Sequence, residues 1–242
     1  MEGTEQNGTQ FQEPQPQLRT PSRTAIKQWA KQSFKAQYGV CVAIVVIVLA
    51  IGAVADPAIW GRDSQAMPIL VSGTCFGTLI MFLIVPVVTV GQTWSFLNVY
   101  RNKTIRVGDL FIGFRNYGHN LGGMLWAYLF TFLWSCLFII PGIVKGIAYS
   151  FVPYLLQEYP DLAATDAIKV SMAMTKGYKG QIFVMYLSFI GWCLLSVLTL
   201  GLLGILYVAP YYMASTAGLY EEYKKLAFET GAVDESRLGT AA

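Results

Sequence analysis

Charge is what this chain has least of. Only 13% of its 242 residues are Asp, Glu, Lys or Arg, while 55% are hydrophobic and the mean hydropathy is +0.48. Ordinary soluble domains carry about 25% charged residues. So thin a charged complement cannot coat a water-soluble globule of this length, and the expected class is integral membrane. Histidine is nearly absent: His119 stands alone at the inner end of an apolar run and has no triad partner. The four cysteines, Cys41, Cys75, Cys136 and Cys193, form no CxxC pair and all fall in apolar runs. That spacing argues against a zinc or disulfide framework and reads them as small apolar fillers. Neither HExxH, a glycine-rich phosphate loop nor GxSxG occurs, and no carboxylate pair lies within an apolar run. Intramembrane hydrolases place their acid–base groups inside spans, so the expectation is no enzyme, no metal and no cofactor. Asp109, Asp161 and Asp166 sit at polar edges, where helix capping accounts for them.

What is present is a set of six apolar runs, at about 38–54, 67–90, 121–140, 143–159, 182–200 and 202–220. Each approaches the ~20 residues that cross a bilayer core as a helix. Pro86, Pro153 and Pro210 each fall in the second run of a pair, where a proline frees the carbonyl one turn earlier, here of Phe82, Tyr149 and Leu206. The chain thus reads as an all-α polytopic membrane protein of six transmembrane helices, arranged as three helical hairpins. A unit of two spans enters and leaves on the same side, so its copies share one orientation, unlike the inverted repeats of many transporters.

Basic residues orient the bundle. All seventeen except Arg62 and Lys145 fall in segments that one topology places on the same side, which the positive-inside rule makes cytoplasmic. Both termini are then cytoplasmic. The external connections are the loop at 56–66, a tight Pro141–Gly142 turn and an uncharged Leu200–Gly201 turn. Ala53-Val54-Ala55 resembles a cleavage site, but the long polar stretch before the first run and the length of that run favour an uncleaved anchor.

Residues 1–22 hold almost no large apolar side chain and read as a disordered cytoplasmic tail, followed by a membrane domain over 23–225 and a C-terminal cytoplasmic tail over 226–242. Asn7-Gly8-Thr9 matches a glycosylation acceptor only by chance on such a tail. Between Arg23 and Tyr38 no acidic residue occurs, and helical spacing sets Lys27, Lys31 and Lys35 opposite Ile26, Trp29, Ala30 and Phe34. This predicts a basic amphipathic helix on the inner leaflet, held by anionic lipid at about 1 kcal/mol per cation. The pattern returns with Ala167, Val170, Met174 and Tyr178 on one face and Thr165, Lys169 and Lys176 on the other, and Ala167-Ile168-Lys169 repeats Ala25-Ile26-Lys27. A shorter counterpart spans 109–118. The expected unit is a cytoplasmic interfacial segment, an outward helix, a turn and a proline-broken inward helix, written three times.

Several words in the sequence carry a resemblance: Asp109-Leu110-Phe111 with Gly113-Phe114 and Asn116-Tyr117-Gly118; Phe132-Leu133-Trp134 leading into Ile139-Ile140-Pro141-Gly142-Ile143; Asp166-Ala167-Ile168; and Leu187-Ser188-Phe189-Ile190-Gly191-Trp192 followed by Leu198-Thr199-Leu200-Gly201 and Pro210-Tyr211. Over about residues 24–225 these make the chain similar to an uncharacterised bacterial integral membrane family, the domain-of-unknown-function 975 family. The resemblance implies a multi-pass protein of the bacterial cytoplasmic membrane and no catalytic or ligand residues.

Among candidate site residues, Lys145 comes first, because an ionisable group in a span is costly and therefore a functional candidate. Lying about 4.5 Å past the Gly142 turn at 1.5 Å per residue, it is also placed to snorkel to the interface. Tyr149 and Ser150, beside a freed carbonyl, complete a candidate ligand-binding trio. Lys27, Lys31, Lys35, Lys169 and Lys176 form the candidate lipid surface. The reading is a non-catalytic module that organises lipid, anionic by the charge argument, or a partner membrane protein, with no nucleic-acid partner. The alternative is a small transporter or channel with a cavity between the proline-kinked helices.

Overall fold

The computed structural model describes residues 21–56, 75, 77–234 and 238. The expected tail over 1–20, the glycosylation match at Asn7, Arg62 and most of the 56–66 loop lie outside the described residues. Every regular element among those described is helical. Four helical runs are long and apolar enough to cross a membrane, Tyr38–Ala55, Val107–Leu137, Ile139–Glu158 and Lys179–Leu198, and a fifth if the bent pair Gly77–Leu83 and Val85–Tyr100 is one span.

α1 (Arg23–Ala36) starts at Ser22 and buries Ile26, Ala30, Ser33 and Phe34, a stripe with helical spacing. That stripe packs on protein, against α4 (Val85–Tyr100) and α11 (Ala209–Glu229), so of the apolar face assigned to the leaflet only Trp29 stays exposed. Gln37 ends α1 and clamps a distant loop, donating to Lys103 O at 2.8 Å and accepting from Ile105 N at 2.8 Å. α2 (Tyr38–Ala55) follows, then α3 (Gly77–Leu83), which meets α4 at a 43° bend.

Each of the three prolines lies in the first turn of a new helix, where a missing N–H removes no bond the helix would have made. Pro86 opens α4, Pro153 opens α7 (Val152–Glu158), and Pro210 opens α11 after a π-helical turn at Gly204–Val208. Of the three proline-bearing runs the first is bent by 43°, while Ile139–Glu158 continues as one helical run past its interruption and the third passes from the π turn straight into α11.

After α4 a 3-10 segment, Val107–Asn116, is capped by Arg106 N donating to Asp109 Oδ2 at 2.8 Å. Its backbone rides directly on α4: a Cβ at Gly91 would stand 1.9 Å from Leu110 O, and one at Gly113 2.4 Å from Val87 O. Only glycine admits so close an approach. α5 (Tyr117–Leu137) and α6 (Ile139–Tyr149) form the second hairpin. Its turn is at Phe138, in extended backbone, and not at Pro141–Gly142 as expected. Pro141 belongs to the first turn of α6, where its fixed φ suits a helix start, and Gly142 lets Ser135 of α5 approach.

α8 (Ala164–Thr175) buries Ala167, Ile168, Ser171, Met174 and Thr175, and Ser171 Oγ donates to Ala148 O at 2.7 Å. Like α1, it is docked on the bundle. α9 (Lys179–Leu187) and α10 (Ile190–Leu198) are one run interrupted at Ser188–Phe189, and none of α10's residues is buried. The third hairpin turns where expected, with Leu200 at φ 52° and Gly201 at φ 84°. The sixth apolar run is divided between the π turn and α11, whose C-terminal part carries Glu221, Glu222, Lys224, Lys225 and Glu229. α11 passes the expected boundary at 225, and beyond it Val233 and Leu238 are buried, so the described part of the C-terminal tail folds back on the domain.

Burial divides the molecule into two zones. Between Val85 and Tyr100, between Ile147 and Leu162 and from Val208 to Ala227 most residues are buried. Toward the hairpin turns the apolar side chains stand open, among them Phe132, Phe138, Ile139, Leu198 and Leu200.

Candidate functional site

The helices α4, α7 and α11 converge toward their C-terminal ends, and each brings charge to one point. Arg101 follows the last residue of α4, Glu158 is the last of α7, and Glu221 and Lys224 lie on α11. Arg101 Nη2 donates to Glu158 Oε1 at 2.6 Å and to Glu221 Oε2 at 2.8 Å, and Arg101 Nε donates to Glu221 Oε2 at 3.0 Å. Lys224 Nζ donates to Glu158 Oε1 at 2.8 Å and stands 3.9 Å from Glu221 Oε2. Tyr220 OH donates to the other oxygen of Glu158. The four ions cancel, and Glu158, 3% exposed, accepts three hydrogen bonds. Burying a carboxylate is tolerable only with such saturation.

Aromatic rings surround the quartet. Tyr154 stacks on Tyr220 at 4.8 Å between centroids and its hydroxyl meets Thr216 Oγ1 at 3.2 Å. Lys224 lies 5.4 Å from the Tyr220 ring and Arg101 6.0 Å from that of Trp94. Gly218 makes room for Tyr100 and Ile26, since a Cβ there would be 2.5 Å from the Tyr100 ring. Burial works against charge on Arg101, but Glu158 and then Glu221 outweigh it and hold the guanidinium above its ordinary pKa. The quartet is thus self-neutralising, two cations against two carboxylates, and ties α4, α7 and α11 together as a structural hub.

The trio selected from sequence does not converge in the same way. Lys145 is half-buried, with Nζ 4.9 Å from the Trp134 ring and 6.0 Å from that of Tyr149. Tyr149 is buried, and Ser150 Oγ donates to Ile147 O of its own helix at 2.8 Å. They mark the α6–α7 break. Two cavities lie away from this break: one of about 480 Å³ bordered by α1, α4 and α11, and one of about 620 Å³ between α8 and the C-terminal residues.

The five lipid-surface lysines separate into two kinds. Lys31, Lys35 and Lys176 are exposed and make no ion pair with a described residue, and Lys169 is exposed while pairing with Asp166 at 2.8 Å. Lys27 is engaged: Nζ donates to Ser188 Oγ and lies 4.4 Å from the Phe189 ring. Burial, with Arg23 adding repulsion, lowers its pKa. It latches α1 to the α9–α10 break. Among the described residues no group of His, Cys, Asp and Glu has a metal-binding arrangement. His119 Nε2 and Asn120 Oδ1 are buried without a partner among the described residues, although Asn120 Nδ2 donates to Gly113 O at 2.7 Å.

Residues 136–227, from the end of α5 to the last turn of α11, match the model of a protein family described as a protein of unknown function, DUF975. This is the family whose motifs the sequence resembles, and the matched segment holds Glu158, Glu221 and Lys224. No curated protein and no solved structure matches the chain.

Proposed function

On the premise that this chain carries a DUF975 segment with no assigned activity, we propose a non-catalytic membrane module that organises anionic lipid, or a partner membrane protein, through its cationic base. In this reading the chain makes six crossings of a bacterial cytoplasmic membrane as three hairpins of like orientation, with both termini cytoplasmic. The observation that carries it is the division of charge: the interior cations Arg101 and Lys224 are neutralised within the quartet, whereas Lys31, Lys35 and Lys176 are exposed and make no ion pair with a described residue. Exposed cations at the polar edge of apolar helices attract acidic headgroups and are screened by salt.

The test is lipid retention. Full-length protein extracted from mixed vesicles of phosphatidylglycerol and phosphatidylcholine is delipidated stepwise, and the bound lipid is counted by mass spectrometry. Phosphatidylglycerol is expected to be retained preferentially. Replacing Lys31, Lys35, Lys169 and Lys176 together by Gln should abolish the preference; an unchanged preference refutes the proposal. The helix breaks at Ile84, at Ser150–Phe151 and at the π turn favour the transport alternative. Burial of Tyr149 and the local bond of Ser150 weigh against a polar path there.

A further inference from the structure

The cavity of about 480 Å³ at the base of α1, α4 and α11 has a composition the lipid-surface argument does not use. Its volume lies in the range of small-ligand sites, about 300–1,000 Å³. Trp29 and Tyr100 supply aromatic walls, and Arg101, Lys225, Glu221 and Glu222 supply two charges of each sign. Trp29 is fixed by its Nε1 bond to Tyr100 O at 3.0 Å, yet remains 45% exposed.

The hydrogen bonds of the quartet leave a particular remainder at this cavity. Arg101 spends Nε and Nη2 on Glu158 and Glu221, and Nη1 makes no hydrogen bond to a described residue. Glu221 uses Oε2 for Arg101 and Lys224, leaving Oε1 unengaged by them. Lys225 and Glu222 meet only at 3.6 Å. Guanidinium and ammonium donors lie beside carboxylate acceptors and an indole face. The donors suit a phosphoryl group; the carboxylates and the ring suit a primary ammonium.

We propose that this cavity binds a phosphoryl-ammonium zwitterion of the ethanolamine type, the phosphate on Arg101 Nη1 and Lys225 and the ammonium between Glu222, Glu221 and the Trp29 ring. A simple anion is disfavoured by the two carboxylates and a simple cation by the two basic groups. The primary ammonium is selected over a trimethylated one because carboxylates reward N–H donors. The proposal deepens the lipid-organising reading and rests on it only for the origin of the headgroup.

The experiment uses the full chain in a neutral detergent, with binding followed by native mass spectrometry. Short-chain phosphatidylethanolamine is expected to bind at least tenfold more tightly than the phosphatidylcholine analogue. The Glu222→Gln, Lys225→Gln double variant, altered only at partly or fully exposed positions, should remove that preference while keeping its helical circular dichroism. Soluble phosphorylethanolamine identifies the source: binding by it shows that the headgroup suffices, and binding by the lipid alone assigns a membrane ligand. Equal binding of both lipids, or a preference unaltered in the double variant, overturns the proposal. Phosphatidylglycerol retention through Lys31 and Lys35 is read separately in the same samples, so failure here and failure of the surface reading are distinguishable.

Discussion

Replacing Glu158 by Gln removes one charge from a neutral quartet and almost no volume. In the native protein Oε1 of Glu158 accepts from Arg101 at 2.6 Å and from Lys224 at 2.8 Å, while its other oxygen accepts from Tyr220. Gln retains an oxygen for the two cations and an amide that can donate to the Tyr220 hydroxyl, so the geometry survives. What is lost is charge. Arg101 keeps Glu221 at 2.8 Å, but Lys224, 9% exposed, is left with a carboxylate 3.9 Å away. Breaking a buried pair from one side costs about 3–5 kcal/mol. Because Glu221 compensates in part, the lower end, about 3 kcal/mol, is expected here. The assay is reversible unfolding of the detergent-solubilised protein by denaturant, followed by circular dichroism. Lys224→Met combined with Glu158→Gln should restore about half of the loss, since the unpaired cation is gone. A single-variant loss below about 1 kcal/mol, or purely additive effects in the double variant, would refute the account of a self-neutralising hub.

Two further outcomes follow from packing. Gly91→Ala puts a Cβ 1.9 Å from Leu110 O and should destabilise by at least about 3 kcal/mol in the same unfolding assay, whereas Gly122→Ala, with nothing within 4 Å, should be neutral or slightly stabilising. Equal effects would show that the 3-10 segment does not ride on α4. Lys145→Met removes a cation 4.9 Å from the Trp134 ring, a contact worth about 0.5–1 kcal/mol where partly exposed. Stability should fall by no more than that and lipid retention should not change; lost retention would return Lys145 to the functional site.

Four of the apolar runs, or five with the bent pair, were legible because their length and lack of charge are local properties, and so was the Leu200–Gly201 bend, whereas the prolines, read as kinks within a span, open new helices instead. The second hairpin's turn was misplaced because Pro–Gly is a common turn pair, yet proline at 141 equally suits a helix start, and only the contact of Ser135 with Gly142 decides. Ile26, Ala30 and Phe34 were recognised as one face, but periodicity does not say whether protein or lipid covers it. The quartet was missed for a different reason. Its members at 101, 158, 221 and 224 each end or follow an apolar run, where a charge reads as a topology marker, and only the convergence of α4, α7 and α11 makes them partners.

The order in which the quartet's members leave the ribosome has a consequence for assembly. Arg101 and Glu158 arrive with the first two hairpins as a balanced couple, and Glu221 and Lys224 come together on the last helix as another. A chain interrupted after either delivery holds no surplus ion at its centre. Growth of the nascent bundle can therefore pause after the second hairpin without stranding a lone charge, and the final helix completes the centre by adding Glu221 beside Arg101 and Lys224 beside Glu158.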